Sequence, residues 1–252
     1  MHDDVLRELA YLRELGFTHL DLTPKAAFAG QGHHGAAATL EETVDDRPAA
    51  EAEARIAAAA ITSGSPATCV TLGELRPFAL DCTACRLAAT RKNVVFGAGN
   101  ENADLMFVGE APGHDEDVQG EPFVGRAGQL LTDIIKAMKL TRDDVYIANV
   151  IKCRPPENRN PEPDELEACR PYIRKQVELI RPKVIVTLGR FSLQSLTGRS
   201  YAITAVRGNW LDYEGVRLMP TYHPAYLLRN PTAKKDVWSD MKKVMGELGI
   251  AF

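Results

Sequence analysis

Two widely separated pairs of cysteines limit how this chain can fold more than any other feature. The first reads Cys82-x2-Cys85 and the second Cys153-x15-Cys169. Thiolates at such spacings hold a tetrahedral zinc ion or an iron–sulfur cluster. Either group would fasten the segment around residue 82 to one about 70 residues later. Bare spacing leaves the two groups equally open, although the long gap in the second pair is unlike a compact zinc ribbon. Between the pairs lies Gly109-Glu-Ala-Pro-Gly113, a turn at the end of an apolar run. The fifth cysteine, Cys69, falls in a loose stretch and is read as no ligand.

Charge divides the chain. Residues 1–70 hold 5 Lys/Arg against 11 Asp/Glu, whereas residues 71–252 hold 25 against 23. The acidic excess therefore belongs to the front, and the remainder is weakly basic, too weakly to indicate a nucleic-acid binder by itself. Residues 1–23 carry Val5, Leu6, Leu9, Leu12 and Leu15 at helical spacing, an amphipathic helix able to dock a partner. Residues 24–70, rich in Ala, Gly and acidic side chains, read as a disordered linker; His33 and His34 there are read as solvated. The acidic start lacks the basic opening of a secretory signal, and no apolar run reaches the ~18–20 residues of a membrane span. The expected setting is the cytoplasm, where disulfides are disfavoured.

From residue 71 a regular alternation begins. Compact apolar runs at 104–109, 145–150, 183–189 and 216–221 read as buried strands, the last broken late by Pro220. Residues 71–80, 126–139, 163–180, 190–197 and 231–248 read as helices, and 201–215 as a hairpin or irregular β segment. Strands alternating with helices predict an α/β domain over 71–252: a three-layer α/β/α sandwich on a four-stranded parallel sheet. Ligands of such sheets sit beyond the carboxyl ends of the strands. That rule puts three remote segments on one rim: Gly109–Gly113 continuing to Glu121-Pro-Phe-Val-Gly-Arg-Ala-Gly128, Asn149, and His223-Pro-Ala-Tyr-Leu-Leu228.

Together these segments, with both cysteine pairs and Asn149-Val-Ile-Lys-Cys-Arg-Pro-Pro156, resemble the uracil-DNA glycosylase superfamily, most of all its iron–sulfur branch, family 4. The match runs from about Leu75 to Met245. Each motif alone is weak; all of them in order are not. The resemblance implies a monomeric enzyme that flips uracil out of single- or double-stranded DNA and hydrolyses its N-glycosidic bond, leaving an abasic site. It implies a [4Fe–4S] cluster on Cys82, Cys85, Cys153 and Cys169, with a structural duty. A repair or replication partner docking on the N-terminal helix is a further expectation.

The implied site can be weighed residue by residue. Phe123 matches the stacking aromatic, against the alternative of a core residue. Asn149 matches the uracil-reading amide, whose NH2 donates to O4 and whose carbonyl accepts from N3–H; a structural amide is the alternative. His223 matches the histidine that donates to O2 as negative charge develops. Gly109 and Ala111 line the turn. Better-known relatives carry a water-positioning Asp where this chain has Ala111, so Glu110 is the remaining carboxylate there, either catalytic or bracing the loop. Glu116 matches a residue suspected of excluding thymine, against a solvated acidic loop. Leu227, Leu228 and Arg229 form a candidate wedge, or pack as a helix. Lys152, Arg154, Arg159, Arg207 and Arg229 are phosphate-clamp candidates or plain surface charges. A crosslinking relative carries a nucleophilic His in a basic loop after the Asn strand; Lys152–Asn160 has none, which disfavours that alternative. A non-catalytic DNA-binding module is the third reading.

Overall fold

The structure, a computed structural model, describes residues 65–251. The expected N-terminal helix, the His33–His34 stretch and most of the expected linker lie outside the described residues. The order built proceeds as α1 (Leu72–Leu80), β1 (Ala98–Gly99), β2 (Leu105–Gly109), α2 (His114–Gln119), α3 (Arg126–Ala137), β3 (Tyr146–Asn149) and α4 (Pro163–Ile180). It continues with β4 (Val184–Leu188), α5 (Arg190–Thr197), α6 (Ile203–Val206), β5 (Leu211–Tyr213), β6 (Val216–Thr221), α7 (Pro224–Arg229) and α8 (Lys234–Glu247).

Capping residues set several boundaries. Thr71 opens α1 by accepting from the Glu74 amide, while the Glu74 carboxylate accepts from the Val70 amide. Pro163 stands in the first turn of α4, where its missing N–H has no intrahelical partner to lose, and Glu165 accepts from the Glu162 amide. Among the described residues no helix is long and apolar enough to cross a membrane.

The sheet has strand order β1-β3-β2-β4-β6-β5. Its four central strands run parallel, as expected. Two short antiparallel edge strands flank them, so the sheet is mixed and six-stranded rather than purely parallel and four-stranded. β1 escaped notice because two residues carry no periodicity. The segment 201–215 does not hold a hairpin of its own: β5 lies in it but pairs with β6 beyond it, and the rest of the segment contains α6. Pro220 does not break β6: it pairs with Thr187 of β4, and its carbonyl accepts from the Gly208 amide. A proline is tolerated there because β5 ends its pairing at Leu218, leaving no ladder donor required on that side.

Alternate strand residues bury opposite faces. Met106, Val108, Ala148 and Ile185 pack with Leu75, Ile173 and Leu193 of α1, α4 and α5. Leu105, Phe107, Ile147 and Val186 pack with Leu131, Ile135, Met241 and Val244 of α3 and α8. Three layers result, as expected. The folded body already includes a turn at Pro66–Thr68 and a buried Cys69, ahead of residue 71. Cys69 thus lies packed in the core rather than in a loose stretch.

Candidate active site

The rim rule holds in detail. Gly109 and Asn149 are register partners at the ends of β2 and β3. A cleft of about 490 Å³ opens beyond them, and Glu110, Ala111, Glu116, Phe123, Asn149 and His223 all line it. Gly109 has to be glycine. A Cβ there would strike both the Asn149 Oδ1 atom and the edge of the Phe123 ring, so the absence of a side chain is what lets the two meet.

Phe123 belongs both to the core and to the cleft. Its φ of 55° is left-handed, an unfavourable region for an aromatic residue. Such strain persists only where surroundings over-determine it, and here three contacts do. Arg142 donates to the carbonyls of Pro122 and Phe123 at 2.7 and 3.2 Å. Glu116 accepts from the amides of Val124 and Gly125, both at 3.0 Å. Gly128 presses against the Phe123 backbone so closely that a Cβ would collide with it.

Glu116 therefore is no solvated acid. Its carboxylate also accepts from the Gly113 amide at 3.1 Å, stapling the Gly113 turn to the Phe123 loop. A Cβ on Gly113 would come within 2.8 Å of Glu116 Oε2, so this carboxylate occupies the space that a side chain at 113 would take.

Asn149 is 1 % exposed, and its Oδ1 has no hydrogen-bond partner among the described residues. A buried orphan acceptor costs on the order of 1–3 kcal/mol unless a ligand satisfies it. Beneath it lies Lys152, whose amino group donates to the Asn149 carbonyl at 2.8 Å and to Gln176 Oε1 at 2.5 Å. Burial lowers this lysine to about 7. A phosphate clamp needs an exposed cation, and Lys152 is only 2 % exposed, so it is not one.

His223 caps α7 by accepting the Ala225 amide on Nδ1 at 3.1 Å. The ring proton of the neutral form therefore sits on Nε2. Burial, and secondarily Arg229, lower its pKa to about 4, so the ring is neutral at physiological pH. Glu110 is raised to about 7, chiefly by burial, with Arg190 opposing. No hydrogen bond to its carboxylate is present among the described residues, so it does not brace the loop.

The basic candidates separate. Arg229 is exposed and lines the cleft. Arg154 bonds His114 Nδ1 and Asn158 at the same mouth. Arg159 lines the cleft too, but its guanidinium forks onto the buried Glu165 carboxylate at 2.6 and 2.9 Å, so much of its donor capacity is spent. Arg207 is committed to the buried Asp240 and to the Asp236 carbonyl, which removes it as a phosphate clamp. Leu227 is 1 % exposed and packs in the core, so it cannot wedge into a duplex; Leu228 and Tyr226, 39 % and 38 % exposed, present the apolar surface instead. Sequence reasoning missed Tyr226, Arg142, and Arg190 at the start of α5. The exposed Arg190 had a signal, since only Gly189 separates it from the end of β4; Arg142, in the loop before β3, had none.

Cys82, Cys85, Cys153 and Cys169 line a second, small cavity of about 10 Å³, together with Ala79, Ala84 and Ala168. None is in a disulfide. Arg91 donates to Cys153 Sγ and the Lys152 amide to Cys169 Sγ, both at 3.3 Å, donors that suit sulfur carrying negative charge. Among the described residues no three Cys, His, Asp or Glu side chains are grouped as single-ion ligands.

A profile of the uracil DNA glycosylase superfamily matches residues 96–242, spanning the cleft from β1 to α8. A type-4 uracil-DNA glycosylase of Archaeoglobus fulgidus is 48 % identical over 177 residues, 67 % of this chain and 88 % of that protein. One from Thermotoga maritima is 49 % identical over 166 residues, 64 % of this chain and 86 % of that protein. One from Sulfurisphaera tokodaii is 48 % identical over 182 residues, 69 % and 83 % respectively. With the cleft geometry and this likeness in agreement, the chain belongs to the uracil-DNA glycosylase superfamily, in its type-4 branch.

Proposed function

We propose that this protein excises uracil from DNA by hydrolysing the N-glycosidic bond, leaving an abasic site for base-excision repair. The observation that carries the reading is the meeting of Phe123, Asn149 and His223, from three remote segments, on one cleft. A glycosidic bond is shielded inside a duplex, so the nucleotide must be extruded to be cut. The extruded ring stacks on Phe123. Its N3–H satisfies the orphan Oδ1 of Asn149, and O4 accepts from the amide NH2 of the same residue. Glu116, standing where a side chain at 113 would be, crowds the C5 position against a methyl group.

Cleavage leaves electrons on uracil O2 and positive charge on the sugar. The Nε2–H of His223 donates to O2 as that charge grows. Ionised Glu110 takes a proton from the attacking water as its oxygen bonds to C1′, and solvent later protonates the departing uracil anion. Arg154, Arg229 and Arg190 hold backbone phosphates, and Tyr226 with Leu228 fills the gap in the stack.

What supports a cluster at the cysteines is their chemistry: four thiols line one cavity without being grouped on a single ion, and Arg91 offsets negative charge there. A [4Fe–4S] cluster on Cys82, Cys85, Cys153 and Cys169 would supply a cross-link between the segment before β1 and the loop after β3. Iron and sulfide analysis of purified protein tests this against zinc. A monomer working in the cytoplasm at the nucleoid is consistent with a DNA substrate and free thiols; residues 1–23 are left to dock a repair or replication partner.

A labelled oligonucleotide with one uracil decides the activity. Strand cleavage that appears only after alkali supports hydrolysis. A denaturant-resistant shifted band would instead mean a covalent adduct, and binding without any cleavage would mean a non-catalytic module.

A further inference from the structure

Among the described residues Lys152 is one of the largest fully buried side chains, and the only lysine in that group. A buried amino group loses its hydration, and an apolar side chain of similar volume would fill the space without that loss. Its retained polar contacts are specific. Strand β3 ends at Asn149; beyond it, the Val150 and Ile151 amides donate to the carbonyls of Gly109 and Glu110. The Asn149 carbonyl is met from within the core by Lys152 Nζ. That nitrogen is itself oriented by Gln176 of α4, whose Nε2 donates to the Phe96 carbonyl and to the Tyr146 hydroxyl. The Lys152 backbone faces the other way: its amide donates to Cys169 Sγ, its carbonyl accepts from Val95, and Cys153 follows it in the chain. One residue thus touches both the strand end that carries Asn149 and the wall of the cysteine cavity.

We propose that Lys152 is a positioning residue for base recognition: by holding the Asn149 carbonyl it sets where the Asn149 carboxamide stands, and it ties that setting to the cysteine cavity. This rests on Asn149 being the uracil-reading group. A lysine that merely stabilises the core would change melting behaviour and leave the grip on a base alone. A positioning lysine changes that grip in a protein that is still folded.

Lys152→Met separates the two, with Asn149→Ala measured alongside. Free uracil is the probe, its binding followed by calorimetry, with bound metal content, melting temperature and single-turnover uracil release read on the same samples. The expected result is folded Lys152→Met with wild-type metal content, about tenfold weaker uracil binding and a slower single-turnover rate at saturating DNA. Folded Lys152→Met with wild-type uracil affinity and rate overturns the proposal, while weak binding by Asn149→Ala keeps the reading of the cleft intact. Undiminished uracil binding by folded Asn149→Ala overturns both. Should Lys152→Met fail to fold, Lys152→Gln, with a neutral donor on a shorter chain, is read instead: weaker uracil binding supports the proposal and unchanged binding overturns it.

Discussion

The rings of Phe123 and His223 stand with centroids 5.7 Å apart and planes inclined by 32°. One comes from the loop before α3 and the other from the start of α7. A base lying on the Phe123 face therefore has an edge within reach of the imidazole. His223→Ala should lower single-turnover uracil release about 10²–10³-fold, as loss of one transition-state donor does. Affinity for abasic-site DNA should hold. Equal losses in rate and affinity would show that the ring only shapes the cleft.

Asn149→Asp should permit some attack on cytosine. A protonated carboxyl offers the donor and acceptor in the order cytosine needs, so the effect should grow as pH falls. Release of cytosine from a labelled oligonucleotide measures it. None from a folded variant would remove Asn149 as the reader.

Glu110 makes both activity and stability depend on pH. Its pKa in the folded protein is about 7, above the ordinary 4.5, because burial disfavours the ion. The folded state holds this proton more tightly than the unfolded chain. Its stability contribution is whole below about 4.5 and is lost as pH rises through about 7. Glu110→Gln, neutral at every pH, should match the wild type in melting temperature near pH 4 and exceed it at pH 8, by an amount worth roughly 1–3 kcal/mol. Wild-type turnover should rise through about pH 7 as the carboxylate forms, and the variant should lose that rise. Parallel melting curves at both pH values would contradict the burial of this carboxyl.

The two neighbouring leucines should behave differently. Leu227→Ala empties core volume and should cost about 2–5 kcal/mol of stability, read by denaturant unfolding. Leu228→Ala touches the surface and should barely alter stability, yet it should slow release from duplex more than from single-stranded DNA. Equal effects on the two substrates would remove the wedge from Leu228.

The arginines should divide in the same manner. Arg207→Ala strands the buried Asp240 and should cost about 3–5 kcal/mol. Arg229→Ala should leave stability unchanged and lower the salt dependence of DNA binding by about one phosphate contact. A reduced salt slope in folded Arg207→Ala would restore it as a clamp.

Much of this architecture is written locally. The period of apolar residues marks β2, β3, β4 and β6, and proline or acidic first turns mark helices such as α4, because such signals depend on neighbours along the chain. Gly109, Asn149 and His223 were legible for the same reason: each ends or directly follows a strand, and the carboxyl-end rule needs only element order. Burial of a charge is another matter, since it depends on which remote segments cover it. Lys152 looked like a phosphate cation until Gln176 of α4 enclosed it, and Arg207 likewise until Asp240 of α8 did. Glu116 stood open between a thymine-excluding residue and a solvated acid until the Phe123 loop folded over it, and only the packing of α7 decided that Leu227 faces the core while Leu228 faces solvent. The sequence by itself determined the layered fold and which remote segments meet on one rim. Tertiary structure decided which charges stay free to meet DNA, because desolvation and pairing are properties of surfaces brought together and not of residues in line.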